Sequence, residues 1–320
     1  MRGARWILCA AALSAAVTSF AASRTWTLVD LGTLGGAGSY GAAINANGVV
    51  VGCADTAGGE VHAFVYSGGS MRDLGPGCAL ALNDSGAIAG RNGNAELVVW
   101  DGSTVMPLGL QGDIGGIDAR GVVVGTYRQE SGSFAFKYEN GTVTTLASNG
   151  GATGINSRGQ VTVTANNRAF VHEGGILREL GTLGGNASSA KGINDKGEVV
   201  GMSTDTNGQP RAFVYDGNLR PLPTPGYAGA VAINNVGQVV GAGEGTFGFL
   251  VEGETFTRLD LLPDVIAKGW RRLDPKGING RGWIVGTATT PTGDLRAFIL
   301  VPGEARAPVA AYARIGRRSF

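Results

Sequence analysis

Apolar and polar positions along this chain repeat in units of roughly 40 residues. The unit that recurs is an apolar residue, Asn or Asp, two further residues and Gly. It occurs as Ile44-Asn45 to Gly48, Leu82-Asn83 to Gly86, Ile117-Asp118 to Gly121, Ile155-Asn156 to Gly159, Ile193-Asn194 to Gly197, Ile233-Asn234 to Gly237 and Ile278-Asn279 to Gly282. Between successive Asx residues the steps are 38, 35, 38, 38, 40 and 45. A β-branched run closed by a second Gly follows, as in VVVG at 49–52 and EVVG at 198–201; the fourth copy, QVTVT at 160–164, lacks that Gly. An aromatic run comes next: HAFVY at 62–66, RAFVH at 168–172, RAFVY at 211–215 and RAFIL at 296–300, with LVVW at 97–100 and AFKY at 135–138 as looser copies. A Leu-centred segment ends the unit, as in RDLG at 72–75, RELG at 178–181 and RPLP at 220–223. These four runs predict four short strands, here called A (ending in Ile-Asn), B (VVG), C (AF) and D (DLG).

Runs apolar at successive positions, as in B, belong to strands covered on both faces. Phe64, Phe136, Phe170, Phe213 and Phe298 in C are expected to wedge between neighbouring sheets. Four strands per unit of about 40 residues is the mark of a propeller blade. The expected fold is therefore all-β: a seven-bladed β-propeller of four-stranded blades over residues 24–302.

The Asx residues Asn45, Asn83, Asp118, Asn156, Asn194, Asn234 and Asn279 are read as structural turn residues. A type I turn favours Asn or Asp first and Gly fourth. The Asx oxygen accepts a backbone N–H two residues on, and the Gly takes the left-handed conformation that lets the next strand pair back. An oxygen used in this way is not free for a ligand.

The A–B and C–D connections are tight, as in Ser67-Gly68-Gly69-Ser70. Crossing from the outer edge of one blade to the inner edge of the next spans about 14 Å, the full reach of about four extended residues. Longer, glycine-rich D–A links such as GTLGGAGSYG at 32–41 suit that crossing, so D ends a blade and A begins the next. A lone D-type strand, Trp26 to Leu31, precedes the first repeat, and the last unit has A, B and C without a clear D. The first strand is expected to complete the last blade and remove an open edge.

Composition narrows the class. A net charge of +1 with 16% charged residues lacks the basic footprint of a nucleic-acid binder. Arg2 and Arg5, the apolar stretch WILCAAALSAAVTSF and the small residues at Ala21-Ala22-Ser23 predict a secretory signal peptide over residues 1–22, too short for a confident membrane span. No later run is long enough to cross a bilayer as a helix, and residues 303–320 read as a basic-ended tail. An exported protein, extracellular or periplasmic, is expected. After the signal two cysteines remain, Cys53 and Cys78, and an oxidising compartment predicts a disulfide between them.

DLGTLGG at 30–36 and ELGTLGG at 179–185, followed by IN..G.VVG and HAF, resemble the bacterial extracellular repeat family named for its His-Ala-Phe tripeptide. The resemblance spans about residues 26–300 and is densest in the first and fifth repeats. Only the first repeat keeps the His. The resemblance implies an exported, repetitive chain with a propeller fold; it carries no activity.

The catalytic inventory is thin. The two histidines, His62 and His172, fall in different repeats at different strand positions, and His172 is read as a packing aromatic. No nucleophile elbow, zinc-binding helix, phosphate loop or calcium loop is present. No catalytic residue, metal or cofactor is expected. The function expected is a non-catalytic binding or adhesion module, a monomer, for a glycan or a surface protein. The alternative is a propeller hydrolase or lyase acting on an extracellular polymer or lactone in the central channel. The B–C loops are long in odd repeats (CADTAGGEV at 53–61, TATTPTGDL at 287–295) and short in even ones (RNGNA at 91–95). With an odd number of repeats, two long loops meet at the closure. The longest D–A link, DLLPDVIAKGWRRLDPKG at 260–277, enters there and supplies the expected ligand residues Trp270, Arg271 and Arg272. The competing role for Trp270 is to cover the closure seam, with the arginines paired to Asp264 or Asp274.

Overall fold

In the computed structural model residues 24–102, 104–245 and 247–305 are described, the side chains of 304 and 305 excepted. The expected signal segment and residues 306–320 of the expected tail lie outside them. One unit spans Trp26–Pro302; of the second, built from the two chain ends, only residues 24–25 and 303–305 are described. Apart from a 3-10 turn at Leu259–Leu261 and a five-residue helix at Pro263–Ala267, the described secondary structure is strand. No described helix is long and apolar enough to cross a membrane.

The strands form antiparallel meanders. Four sheets have four strands each, in the order A-B-C-D predicted for a repeat. The first three repeats merge into one ten-stranded ribbon running from Gly35–Ile44 to Thr142–Ser148. Two strands in it serve twice. Residues 70–76 of Ser70–Leu82 pair with the C strand Val61–Ser67, and residues 77–82 pair with the next B strand, Ile88–Asn92. Thr104–Ile117 is divided in the same way. Here the separate D–A link expected from the sequence is missing. The chain turns within the strand instead, at Gly75 and Gly77 (φ 91° and 135°) and at Gly109 and Gly112 (φ 68° and 154°). These conformations are open to glycine and strained for other residues.

The N-terminal strand Arg24–Asp30 joins the last sheet, in the order Arg24–Asp30, Leu295–Ala305, Ile284–Thr289, Arg271–Ile278. It repeats the D-strand pattern found elsewhere. The Leu31 N–H donates to the Ala297 carbonyl, as Leu180 does to Ala169 and Leu222 to Ala212. Asp30 and Asp73 each accept the N–H of the glycine two residues on. The outer edge of the strand is covered as well. The Leu28 N–H donates to Asp264 Oδ2 at 2.7 Å, and Lys268 Nζ donates to the Leu28 carbonyl at 2.6 Å. The short helical insertion therefore occupies backbone groups that an edge strand would leave open to another chain.

In five of the seven repeats the second glycine faces a phenylalanine. Gly52, Gly125, Gly201, Gly241 and Gly286 lie directly across from Phe64, Phe136, Phe213, Phe249 and Phe298, all five rings being fully buried. At Gly201 a Cβ would lie 2.0 Å from the Ser189 carbonyl oxygen and 3.0 Å from the Phe213 ring. Glycine lets the inner strand's carbonyl and the ring close over the same backbone. In the fourth repeat, which lacks the glycine, Val163 faces Phe170, and Phe170 is only partly buried. Gly201→Ala is expected to lower unfolding free energy by about 2–3 kcal/mol, as overpacking of a filled site does. Denaturant unfolding measures it; an unchanged midpoint would show that the strands part at little cost.

Candidate binding cavity at the inner strands

All seven inner A strands carry a bulge at the same place. The register slips between Gly41 and Ala43, Ala79 and Ala81, Ile114 and Gly116, Ala152 and Gly154, Ala190 and Gly192, Ala230 and Ala232, and Pro275 and Gly277. The skipped residue is always the third before the Asx: Ala42, Leu80, Gly115, Thr153, Lys191, Val231 or Lys276. A bulge re-aims a side chain while the rest of the strand stays paired. This position varies in size and charge, whereas the residues flanking it are uncharged and mostly Gly or Ala, and repeat spacing alone did not single it out.

At the C-terminal ends of the inner strands the Asx residues form a ring. Asn45 Oδ1 accepts the N–H groups of Asn47 and Val49, and Asn156, Asn194, Asn234 and Asn279 bond in the same two-and-four pattern. The amide nitrogen is used too. Asn45 donates to the Asn83 carbonyl, Asn83 to Asp118, Asn156 to Asn194, Asn194 to Asn234, Asn234 to Asn279 and Asn279 back to Asn45, at 2.9–3.2 Å. One side chain thus closes its own turn and ties it to the next. The ring surrounds a cavity of about 330 Å³.

Its one gap is at Asp118, which has no amide to give. Its buried carboxylate takes Arg120 Nε and Nη2 at 2.9 and 2.8 Å instead. Asp118→Asn is expected to complete the ring by donating to Asn156 and to raise stability by about 1 kcal/mol. A thermal midpoint that stays level or falls would show that the Arg120 pair is worth as much as the missing bond.

The other ends of the inner strands border a larger cavity of about 770 Å³. Its walls come from the first two inner strands (Tyr40, Ala42, Leu80), the last sheet (Leu273, Thr287, Thr289, Leu295) and Ala242 of the sheet before it, with Arg272, Asp274 and Lys276 among them. Lys276 Nζ lies 2.7 Å from Asp274 Oδ2. Cys53 also borders this cavity. It is disulfide-bonded to Cys78, with a Cα separation of 4.8 Å, inside the usual range for a bridged pair.

The residues expected to bind ligand are split. Trp270 is 8% exposed and packs with Trp26, Leu28, Leu259, Leu262 and Val265, so its ring faces the closure seam. Arg271 and Arg272 are exposed, and Arg272 borders the cavity. Neither pairs with Asp264 or Asp274, whose partners are Lys268 and Lys276.

Of the two histidines, His62 has side-chain partners. His62 Nδ1 bonds Asp73 Oδ2 at 2.8 Å, and its Nε2 faces Glu60 Oε2 at 3.4 Å. In the fourth repeat Arg168 takes the His62 position and faces Glu179, at 3.5 Å. A basic residue opening strand C thus meets an acid in strand D in both repeats. The hydrogen bond to Asp73 raises the His62 pKa above 6.5, against the opposing effect of burial. Burial alone would raise the Asp73 carboxyl, but the Gly75 N–H and His62 hold it below 3.8. The pair therefore stabilises the fold above the range where Asp73 ionises and up to the raised His62 pKa, and the His62 contribution fades as pH rises through that value. The Tm gap between wild type and His62→Gln is expected to be widest near pH 6 and to shrink in alkali. A gap that widens in alkali would reverse the assignment. At His172 burial pushes the imidazole pKa down. Among the described residues no group of three or more His, Cys, Asp or Glu is placed to hold a metal ion.

No protein-family model and no curated protein matches the chain. Solved structures do. The β-propeller domain of the Trilobed protease from Pyrococcus furiosus, described as having an open velcro topology, is 12% identical with a TM-score of 0.56, over 85% of this chain and 98% of that one. Pyrococcus horikoshii acylaminoacyl peptidase is 12% identical with a TM-score of 0.55, over 82% of this chain and 51% of that one, so this chain spans about half of its length. At such identity the likeness is one of fold, and with the meandering sheets it shows that this chain is a β-propeller.

Proposed function

We propose that this chain is an exported, seven-bladed propeller of the His-Ala-Phe repeat type that acts, as a monomer, as a non-catalytic binding module for a glycan or a surface protein. Dividing the ten-stranded ribbon at its two bent strands yields three blades, which with the four separate sheets makes seven, one per Asx turn. Export is supported by the signal-like residues 1–22 and by the Cys53–Cys78 bond, which persists in oxidising compartments.

The chemistry of the larger cavity carries the binding reading. Its lining has an aromatic ring, aliphatic walls and a few polar groups, the usual make-up of a binding site. It offers no histidine and no free thiol, and its one carboxylate, Asp274, is held by Lys276. A hydrolase or lyase needs a base in reach of its substrate, and the His62–Asp73 pair does not border this cavity. The test is a screen of a glycan array and purified surface proteins against wild type and Ala42→Phe, which narrows the cavity. Binding lost in a folded Ala42→Phe supports the reading. Turnover of a polymer or lactone that depends on Lys276 or Asp274 would replace it with the enzymatic alternative.

A further inference from the structure

Resting on the reading of the larger cavity as a binding site, and narrowing its ligand away from a glycan, we infer that the group it takes is a carboxylate carried on an apolar body. The charges bordering it are few: Arg272, Asp274 and Lys276. Asp274 and Lys276 neutralise each other at 2.7 Å. Arg272 has no hydrogen-bond or ion-pair partner among the described residues, which leaves one surplus positive charge. A monoanion balances it. A phosphate monoester, nearer two negative charges at neutral pH, would bring its second charge beside Asp274.

The backbone at Arg272 adds an independent observation. Its φ is 52°, in the left-handed region, inside the irregular stretch between Arg271 and Asp274 where the register shifts. Six described residues other than glycine have positive φ: Ala95, Asn140, Asn149, Asn166, Asn167 and Arg272. Four are asparagines, which tolerate this conformation, and Arg272 is the one charged residue. Glycine would relieve the strain and asparagine would reduce it. Strain of this kind collects at ligand sites, where the surroundings hold it in place. Arg272 borders this mainly apolar cavity, and a guanidinium fork matches a carboxylate with two parallel hydrogen bonds.

The walls select what carries the carboxylate. Tyr40, Ala42, Leu80, Ala242, Leu273 and Leu295 give the cavity more apolar than polar surface. Apart from Tyr40, the side-chain hydroxyls bordering it are those of Thr287 and Thr289. A sugar ring buried there would lack partners for most of its hydroxyls, whereas an alkyl or aliphatic side chain needs none.

Isothermal titration calorimetry with defined probes tests this. Decanoate and a short peptide ending in Leu with a free carboxylate are expected to bind wild type. Decanol and the amidated peptide are expected to bind about tenfold more weakly or worse. Arg272→Gln should weaken the two carboxylates by about tenfold or more, the loss of a charge-assisted pair, and leave the neutral probes unchanged. Arg272→Lys should restore part of the loss. The preferred carboxylate identifies the source, a free amphiphile or a chain end. Equal binding of acid and neutral probes, indifference to Arg272→Gln, preference for trigalacturonate over decanoate, or no binding by any probe would each overturn the inference. Ala42→Phe separates the two levels. If neutral probes bind and are lost in Ala42→Phe while Arg272→Gln is silent, the cavity stands and the carboxylate falls. If decanoate binds Ala42→Phe as it binds wild type, the cavity itself is wrong. Far-UV circular dichroism on each variant confirms the fold.

Discussion

Trp270→Ala is expected to lower unfolding free energy by about 3–5 kcal/mol, the range for removing a large buried aromatic. The ring is 8% exposed and shares one cluster with Trp26, Leu28, Leu259, Leu262, Val265 and Leu273. Trp26 and Leu28 come from the strand that completes the last sheet, while Trp270 follows the helical insertion Pro263–Ala267. The substitution therefore acts where the first strand meets the end of the chain's circuit. Truncation leaves a cavity beneath that strand and loosens the insertion whose Asp264 and Lys268 hold the Leu28 backbone. Chemical denaturation reads the loss directly. Hydrogen exchange at Leu28 and Leu31 is expected to rise before exchange in the middle sheets, because the closure opens first. A stable Trp270→Ala protein that has lost ligand affinity would return Trp270 to the ligand site. Asp264 offers a second handle on the same latch. Lys268 and the Leu28 N–H hold its carboxyl below 3.8, so its contribution is lost as pH falls through that lowered value.

How far the sequence foretells this molecule depends on whether the cause lies within one repeat. The Asn45-to-Gly48 turn is local, and its pattern fixes both the hairpin and the acceptor role of the side chain. The D-type strand at Trp26 to Leu31 is legible because VDLG there copies RDLG at 72–75, and the missing D of the last repeat leaves it one place to go. The donor role of each Asn amide is not legible, since its acceptor belongs to the neighbouring repeat, 35 to 45 residues on or, for Asn279, 234 residues back at Asn45. The continuity of Ser70–Leu82 was hidden for another reason. Gly75, Pro76 and Gly77 read as a link, and only pairing on both sides shows a single bent strand.

The cavity was the least legible feature. Its residues lie at both ends of the chain, and the bulge that turns Ala42, Leu80 and Lys276 inward leaves no constant residue behind. One signal was available: a position fixed in spacing from the Asx yet free in chemistry. Beside flanking residues that are mostly Gly or Ala, the appearance there of Leu80, Lys191 and Lys276 marks a side chain released from packing. The glycine that faces Phe64, Phe136, Phe213, Phe249 and Phe298 carries the opposite signal. It is constant because a carbonyl and a ring both need the space, and where Val163 stands in its place the ring of Phe170 is less buried.

Breaking the Cys53–Cys78 bond is expected to cost about 3–4 kcal/mol, the chain-entropy value for the 25 residues that separate the two cysteines. The enclosed segment holds the end of strand B, all of strand C and the D half of Ser70–Leu82. In the folded state ladder hydrogen bonds already hold these strands in register, so the bond adds little there. Its effect falls on the unfolded chain, whose freedom it restricts. The Cys53→Ala/Cys78→Ala variant and wild type in reductant should then lose about the same stability. The position of the bond adds a specific expectation. Cys78 lies just beyond Gly77, where the strand leaves the first sheet and enters the second. The bridge therefore fastens the first two repeats across a junction that has no loop to absorb motion. Loss of the bond should raise hydrogen exchange at Cys78, Ala79 and Leu80 more than at the equivalent Ser189, Ala190 and Lys191, which no bridge holds. A variant with unchanged stability and unchanged exchange at Leu80 would show that the bent strand alone fixes the junction, and that the disulfide is incidental to both the fold and the cavity Leu80 borders.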